Sequence, residues 1–386
     1  MSGAISELPE QEVLSGVLIP QELSPLFNLF EKPEMKKSLI ALAVMAASGA
    51  SMAQVTLYGV ADVAVGATNT APAAGVFSKM NGDKFQAIAN DTLNNGNSRF
   101  GLKGTEKIGG LTAGFNFEAA VNLATGGTDT AVFQRQANVS LAGGFGEVVI
   151  GRQFTTAYDT LATWELTGAA NYSAVASQFN FLGAGPRDDA AVKYNSPKFG
   201  GFAASVAFVL EGNGGAKGLN GGKFVDVNGN AKGKYDIGLT YANDKLSAGL
   251  NFNKVTDVSE NASLGAKYNF GMATVAASVQ SQKAGMNNDT VKEGYTLGVS
   301  APIGAFTLTA DVAQATKTYN AAGVDTGTKT NFLLEAKYAL SKRTFVYAAF
   351  LRDGKLDNVS EKDANGNLNA GGKDVDGYSI GLRHNF

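Results

Sequence analysis

Residues able to do covalent chemistry are scarce in this chain. Its 386 residues include no cysteine and one histidine, His384, which excludes disulfides, thiol nucleophiles and thiolate metal sites. No serine–histidine–acid set can be assembled around that lone ring, so an enzyme is not expected. Two loop segments imitate calcium ligands, Asp226-Val-Asn-Gly-Asn230 and Asp363-Ala-Asn-Gly-Asn367. Neither has Gly at the sixth position or Glu at the twelfth, although Asp374 stands at the twelfth of the second. Asn-rich hairpin tips account for both, and no metal or cofactor is expected. What remains is fixed charge. Arg99, Lys103 and Thr105 alternate with Phe100, Leu102 and Gly104; Glu118 shares its parity with Asn116 and Asn122, and Arg187 with Lys193. Charges at every second residue can select ions, provided the strands that carry them enclose water.

The elements that must position such charges are strands. Tyr235-Asp-Ile-Gly-Leu-Thr-Tyr241 has apolar or aromatic residues at odd positions and small or polar ones between. Leu246–Phe252, Leu264–Phe270 and Tyr295–Ala301 repeat the pattern, and Phe332–Tyr338 does so with one lapse. A period of two means one apolar and one polar face. Runs of this kind begin near residues 54, 98, 111, 133, 147, 188, 201, 234, 246, 261, 273, 293, 305, 329, 343 and 375. Most are long enough for the roughly nine to eleven residues that cross a bilayer at a tilt. Short glycine or Asn-Asp-Lys turns alternate with long polar loops at 68–97, 123–132, 153–187, 212–233, 284–292, 318–328 and 354–374. The spacing predicts an all-β fold, a 16-stranded antiparallel transmembrane β-barrel whose even strand number closes the sheet. A soluble β-sandwich is the rival, but its strands average only about five or six residues. Tyr235, Tyr241, Phe252, Phe270, Tyr295, Phe306, Tyr338, Phe345 and Tyr378 fit outward aromatic girdles.

Composition agrees with one large β architecture. Glycine is abundant at 48, proline scarce at 8, and charged residues make up 17%. Lys36-Lys37, the apolar run Ser38–Ala47 and the small residues Ser51 and Ala53 make a secretory signal peptide over 35–53. Residues 1–34 read as an upstream extension outside the mature protein, and 54–386 as the barrel. Leaving out 1–53 takes three basic and six acidic residues from totals of 32 and 34, so 29 and 28 remain. That balance gives no argument for nucleic acid.

The loop 153–187 stands apart. It holds the single tryptophan, Trp164, and Glu165, and ends where Arg187 resumes a strand. A loop so long without secondary structure of its own is usually functional. Between strands of a closed barrel it could fold back inside and narrow it.

These residues resemble the trimeric general-diffusion porins of Gram-negative outer membranes, especially the anion-preferring β-proteobacterial branch. The resemblance runs from Met35 to Phe386 and is carried by Gln54-Val-Thr-Leu-Tyr-Gly59, Ser98-Arg-Phe-Gly-Leu-Lys-Gly-Thr-Glu106, Phe145-Gly-Glu-Val-Val-Ile-Gly-Arg152, Tyr194-Asn-Ser-Pro-Lys-Phe-Gly-Gly201 and Gly381-Leu-Arg-His-Asn-Phe386. It implies that the third loop, here 153–187, enters the lumen as the constriction. By position it implies a basic wall of Arg99, Arg135 and Arg187, with Glu118 on strand three and Glu165 on the loop as the acidic side. It implies further a homotrimer in contact with outer-membrane lipid and lipopolysaccharide, passing small hydrophilic solutes and inorganic anions. Parity independently puts Arg99, Glu118 and Arg187 on the polar face. Arg135 is divided: alternation in Phe133–Leu141 puts Gln, Asn and Ser inside and Arg135 outside, whereas the resemblance puts it inside.

The function expected is passive diffusion of small hydrophilic solutes. Two acids against three arginines leave about one net positive charge, hence a modest anion preference. Lys103, Asn116, Lys193, Lys267, Lys337 and Arg383 are expected to line the path. A substrate-selective uptake channel with a weak binding site at the constriction is the alternative.

Overall fold

The computed structural model describes residues 55–69, 80, 82–128, 131–180, 185–210, 232–284, 290–319, 324–360 and 372–386. Residues 1–34 and 35–53, read above as an extension and a signal peptide, and the calcium-like tips at 226–230 and 363–367 lie outside the described residues. The described chain forms a closed antiparallel barrel of sixteen long strands. They are β1 (Thr56–Thr68), β2 (Arg99–Ile108), β3 (Leu111–Ala120), β4 (Gln136–Gly143), β5 (Gly146–Phe154), β6 (Arg187–Asn195), β7 (Phe202–Val209) and β8 (Lys234–Ala242). The second half comprises β9 (Leu246–Val255), β10 (Ser259–Asn269), β11 (Thr274–Ala284), β12 (Thr290–Ile303), β13 (Phe306–Thr318), β14 (Lys329–Ala339), β15 (Thr344–Asp353) and β16 (Val375–Asn385). A three-residue segment, Gln86–Ile88, adds to the sheet beside β1.

Closure is made by β1. It pairs with β2 from Thr56↔Lys103 to Val60↔Arg99 and with β16 from Val60↔Asn385 to Thr68↔Gly377. Each of the sixteen long strands therefore has two neighbours, so among the described residues the barrel offers no long open edge to template aggregation. The short turns rest on glycine: Gly304, between β12 and β13, adopts φ +63°, a left-handed conformation that side chains resist.

The two faces follow the period-two pattern, with the polarity of a soluble protein inverted. Ile380 is 70% exposed and Leu57 61%, and Leu239, Leu250, Leu264 and Leu297 share this outer face. Asp236, Asn251, Ser263, Ser278, Thr296 and Asn331 are buried on the other. A barrel bathed in hydrocarbon has this distribution, because its outer side chains face lipid and its inner ones face a polar interior. The register stacks the inner polar residues: Asn251 faces Ser263, Ser263 faces Gln280, and Ser278 faces Thr296.

Two expectations need correction. The loop between β5 and β6 has secondary structure of its own: helix α1 (Thr156–Trp164) and a shorter helix α2 (Ala174–Phe179). Phe345 does not belong to an outer girdle. It packs on the inner apolar cluster, with the Lys337 ammonium 5.7 Å and the Arg383 guanidinium 5.8 Å from its ring centre. On β15 the inner positions are apolar too, because Tyr347, Ala349 and Leu351 share a cluster with Tyr172 and Phe179 of the loop. Polarity therefore no longer separates the two faces there.

Candidate functional site

Helix α1 begins at Thr155, whose hydroxyl accepts from the Tyr158 N–H at 3.0 Å. Such a cap satisfies a donor that the first turn leaves orphaned. Asp236 on β8 accepts from the Ala157 N–H at 3.0 Å, putting a carboxylate where the helix dipole favours one. Thr156, Thr160 and Trp164 then lie one turn apart on a face that rests in a trough of glycines. A methyl on Gly238 would come within 2.5 Å of Thr156 and one on Gly249 within 2.6 Å of Thr160; at Gly265 it would collide with the Trp164 ring. Side chains at these strand positions would exclude the helix.

Beyond α1 the loop is fastened along the polar face of the later strands. Lys267 on β10 donates to the Glu165 carbonyl at 3.3 Å, and Lys337 on β14 to the Thr167 carbonyl at 3.0 Å. The Tyr172 hydroxyl donates to Glu335 at 2.6 Å, and Asn331 donates to Ser177 at 3.1 Å. The segment after β1 meets the same loop: Asn95 donates to the Tyr172 hydroxyl at 2.7 Å, and Asn171 to Asn97 at 2.7 Å. Burial, reinforced by Glu335, holds the Tyr172 phenol well above its ordinary pKa.

The structure brings three of the expected charges into direct contact. Glu118 on β3 is 3% exposed. Its Oε1 receives Arg135 Nε at 2.7 Å, and its Oε2 lies 3.3 Å from Arg99 Nε. Tyr58 on β1 completes the group, its hydroxyl within hydrogen-bond distance of Glu118 Oε2 (3.0 Å) and Asn116 Oδ1 (2.8 Å). Arg135 thus lies on the inner side. Within β4 alternation holds, with Asn138 buried and Val139 and Leu141 exposed. Arg135 escapes that alternation because it precedes the first residue of the strand.

Arg187, at the start of β6, belongs to the same field but pairs with no carboxylate among the described residues. Its guanidinium lies 4.3 Å from the centre of the Phe154 ring, and its Nε is buried without a hydrogen bond. Phe154 in turn stacks on Tyr158 of α1, centroids 4.4 Å apart and planes 8° from parallel. Burial raises the Tyr158 phenol pKa against the opposing pull of Arg187, Arg99 and Arg135. The loop residue that faces the arginines is therefore a neutral tyrosine. A bulge at Gly151–Gln153 re-aims the chain here; Arg152 reaches the Gln134 carbonyl and pairs with Asp189.

Glu165 is placed otherwise than expected. It caps the end of α1, and its carboxylate accepts from Thr167 (2.6 Å), Ser173 (2.8 Å) and the Ala169 N–H (2.7 Å). Its charged neighbours are Lys267, Asp311 and Glu335, and it makes no ion pair with the arginines among the described residues. The turn that follows the helix consumes its hydrogen-bonding capacity, so it does not orient the arginine wall. The remaining residues divide. Lys103 is exposed, its ammonium 5.2 Å from the centre of the Tyr58 ring. Lys193 is buried and holds the loop, donating to Asp159 at 2.8 Å and to the Phe154 carbonyl at 2.9 Å. Arg383 donates to Asn95 at 2.6 Å. Sequence reasoning missed Tyr58, Phe154 and Tyr158. The parity that Tyr58 shares with Asp62 could have marked the first; nothing periodic marks the other two.

Residues 39–358 match the family model described as Gram-negative porin. Outer membrane porin protein 32 of Delftia acidovorans is 32% identical over 376 residues, covering 91% of this chain and all of that protein. Among solved structures, an anion-selective porin from Comamonas acidovorans superposes with a TM-score of 0.67 at 26% identity, over 86% of this chain and 100% of that one. OmpT, an outer membrane protein of Vibrio cholerae solved in a trimer form, shares the fold with a TM-score of 0.59 at 13% identity, over 87% of this chain and 100% of that one.

Proposed function

This chain belongs to the Gram-negative porin family, an outer-membrane channel and not an enzyme, and we propose that its barrel favours small anions at the arginine cluster. The passage is one for passive diffusion of small hydrophilic solutes. The observation that carries the anion preference is the sharing of one carboxylate, Glu118, by Arg99 and Arg135, while Arg187 forms no ion pair among the described residues and only feels the same carboxylate at longer range. Three guanidiniums against one carboxylate leave two net positive charges, because Glu165 does not take part. Guanidiniums stay ionised at any working pH, and low-dielectric walls focus their field on the narrow water path.

The constriction follows from where the loop is fastened. The polar face of a closed barrel is its interior, so a loop hydrogen-bonded to that face of β8, β10 and β14 narrows the lumen from one side. Tyr158 forms the loop's contribution opposite the arginines, and Arg99, Arg135, Arg187 and Glu118 form the wall. Lys103, Asn116 and Arg383 line the approach. A homotrimer, contact with lipopolysaccharide, and cleavage of the signal segment before Gln54 complete the reading. A relative solved as a trimer supports the first.

The test is the reversal potential in planar bilayers under a KCl gradient, for the wild type and for Arg99→Ala combined with Arg187→Ala. Anion preference in the wild type and its loss in the double variant are expected. Cation preference in the wild type, or an unmoved potential in the variant, would overturn the assignment.

A further inference from the structure

We propose that Arg187, Phe154 and Tyr158 form a subsite for planar aromatic monocarboxylates, so that such anions pass through a saturable step rather than by free diffusion. The inference rests on the anion-preferring reading above and names a solute class for the same constriction.

The three side chains form a continuous stack, guanidinium on ring on ring, at 4.3 Å and 4.4 Å. All three are half-buried and keep part of their surface accessible. Simple electrostatic selection does not require this arrangement. Chloride gains from guanidiniums alone, and a carboxylate partner for Arg187 would hold its side chain in place just as well. Arg187 instead has an aromatic face beneath it and makes no ion pair with a carboxylate among the described residues, feeling Glu118 only as part of the shared field. Its charge is thus available to a solute carboxylate beside two parallel, half-buried rings.

An aromatic carboxylate matches both halves of that surface. Its carboxylate pairs with a guanidinium that no described carboxylate contacts directly, and guanidinium and carboxylate are matched in planarity and donor geometry. Its ring meets cationic and aromatic neighbours, which favour a π face over a saturated one. Tyr158 is neutral at neutral pH, as an ordinary phenol is, so it adds ring surface without repelling the anion.

The experiment compares benzoate with cyclohexanecarboxylate, which has the same charge and similar size, is no less apolar, but has no π face. Half-blocking concentrations for chloride current are measured in planar bilayers with the wild type, Tyr158→Leu and Tyr158→Phe. Benzoate is expected to block the wild type at a concentration lower by about threefold to tenfold, the range that ring stacking supplies. The difference should vanish in Tyr158→Leu and survive in Tyr158→Phe, which retains the ring. Equal block of the wild type by the two acids overturns the subsite, as does a difference that persists in Tyr158→Leu or is lost in Tyr158→Phe. The KCl reversal potential in the same membranes reads the parent assignment separately. Anion preference together with equal block defeats only the subsite, whereas absence of anion preference defeats the reading on which it rests.

Discussion

Trp164 occupies the space that a side chain on Gly265 would need. The indole of α1 lies directly on the backbone of β10, buried to 1% exposure, and this contact sets how far the loop stands from the wall. Gly265→Ala should lift the helix into the lumen and lower single-channel conductance. Trp164→Ala should release it, at about 3–5 kcal/mol of lost packing, and make the conductance larger and noisier. Single-channel recordings in KCl check both, and equal conductance in the two variants would contradict the proposed seating.

The two carboxylates once expected to act together should separate cleanly. Glu118→Gln removes the counter-charge shared by Arg99 and Arg135, so the reversal potential should move further towards that of chloride. Its folding yield should fall, since breaking a buried ion pair by removing one partner costs about 3–5 kcal/mol. Glu165→Gln should leave selectivity where it was, because Thr167, Ser173 and the Ala169 N–H already engage that carboxylate. Its effect should instead be a lower unfolding temperature, since hydrogen bonds to a charged group contribute about 1.5–3 kcal/mol. Reversal potentials and thermal melts of the two variants, measured side by side, decide the matter.

These contrasts show what the residue pattern could and could not reveal. Burial alternates with a period of two along most strands, so Arg99, Glu118 and the outward leucines were legible from parity alone. Parity fails where a second layer covers the inner face. Phe345 is apolar because loop residues pack against its neighbours, not because it faces lipid. It fails again where a residue lies outside the ladder, as Arg135 does by a single position. The loop has no strand periodicity, so the placement of Glu165 away from the arginines and of Tyr158 near them was hidden. It depends on α1 ending at Trp164 and on the turn that then wraps around the carboxylate.

Tyr172 gives the alkaline limit. Its phenol is held well above the ordinary value by burial and by Glu335, whereas an unfolded tyrosine titrates near about 10. A pKa raised by folding contributes stability that is intact below the unfolded value and is lost as pH rises beyond it. The unfolding temperature should therefore hold steady up to about pH 10 and decline above it. Tyr172→Phe should lower stability at neutral pH by about 1–3 kcal/mol, leaving Glu335 short of a donor, and should flatten the alkaline decline. Melting curves at several pH values, for wild type and variant, check both slopes.

Lys193 separates a buried hydrogen bond from an exposed ion pair at one atom. The residue is 6% exposed, and its ammonium donates to both the Phe154 carbonyl and Asp159, whose side chain is 45% exposed. An ion pair open to water on one side contributes at most about 1 kcal/mol, so Asp159→Asn should scarcely change the channel. Lys193→Met removes the donor to the carbonyl at the root of the loop, at a cost of about 1–3 kcal/mol. It should speed proteolytic cleavage between β5 and β6. Limited proteolysis of both variants in detergent should show the lysine variant cut first; the reverse order would mean that Asp159, and not the backbone carbonyl, is what Lys193 holds.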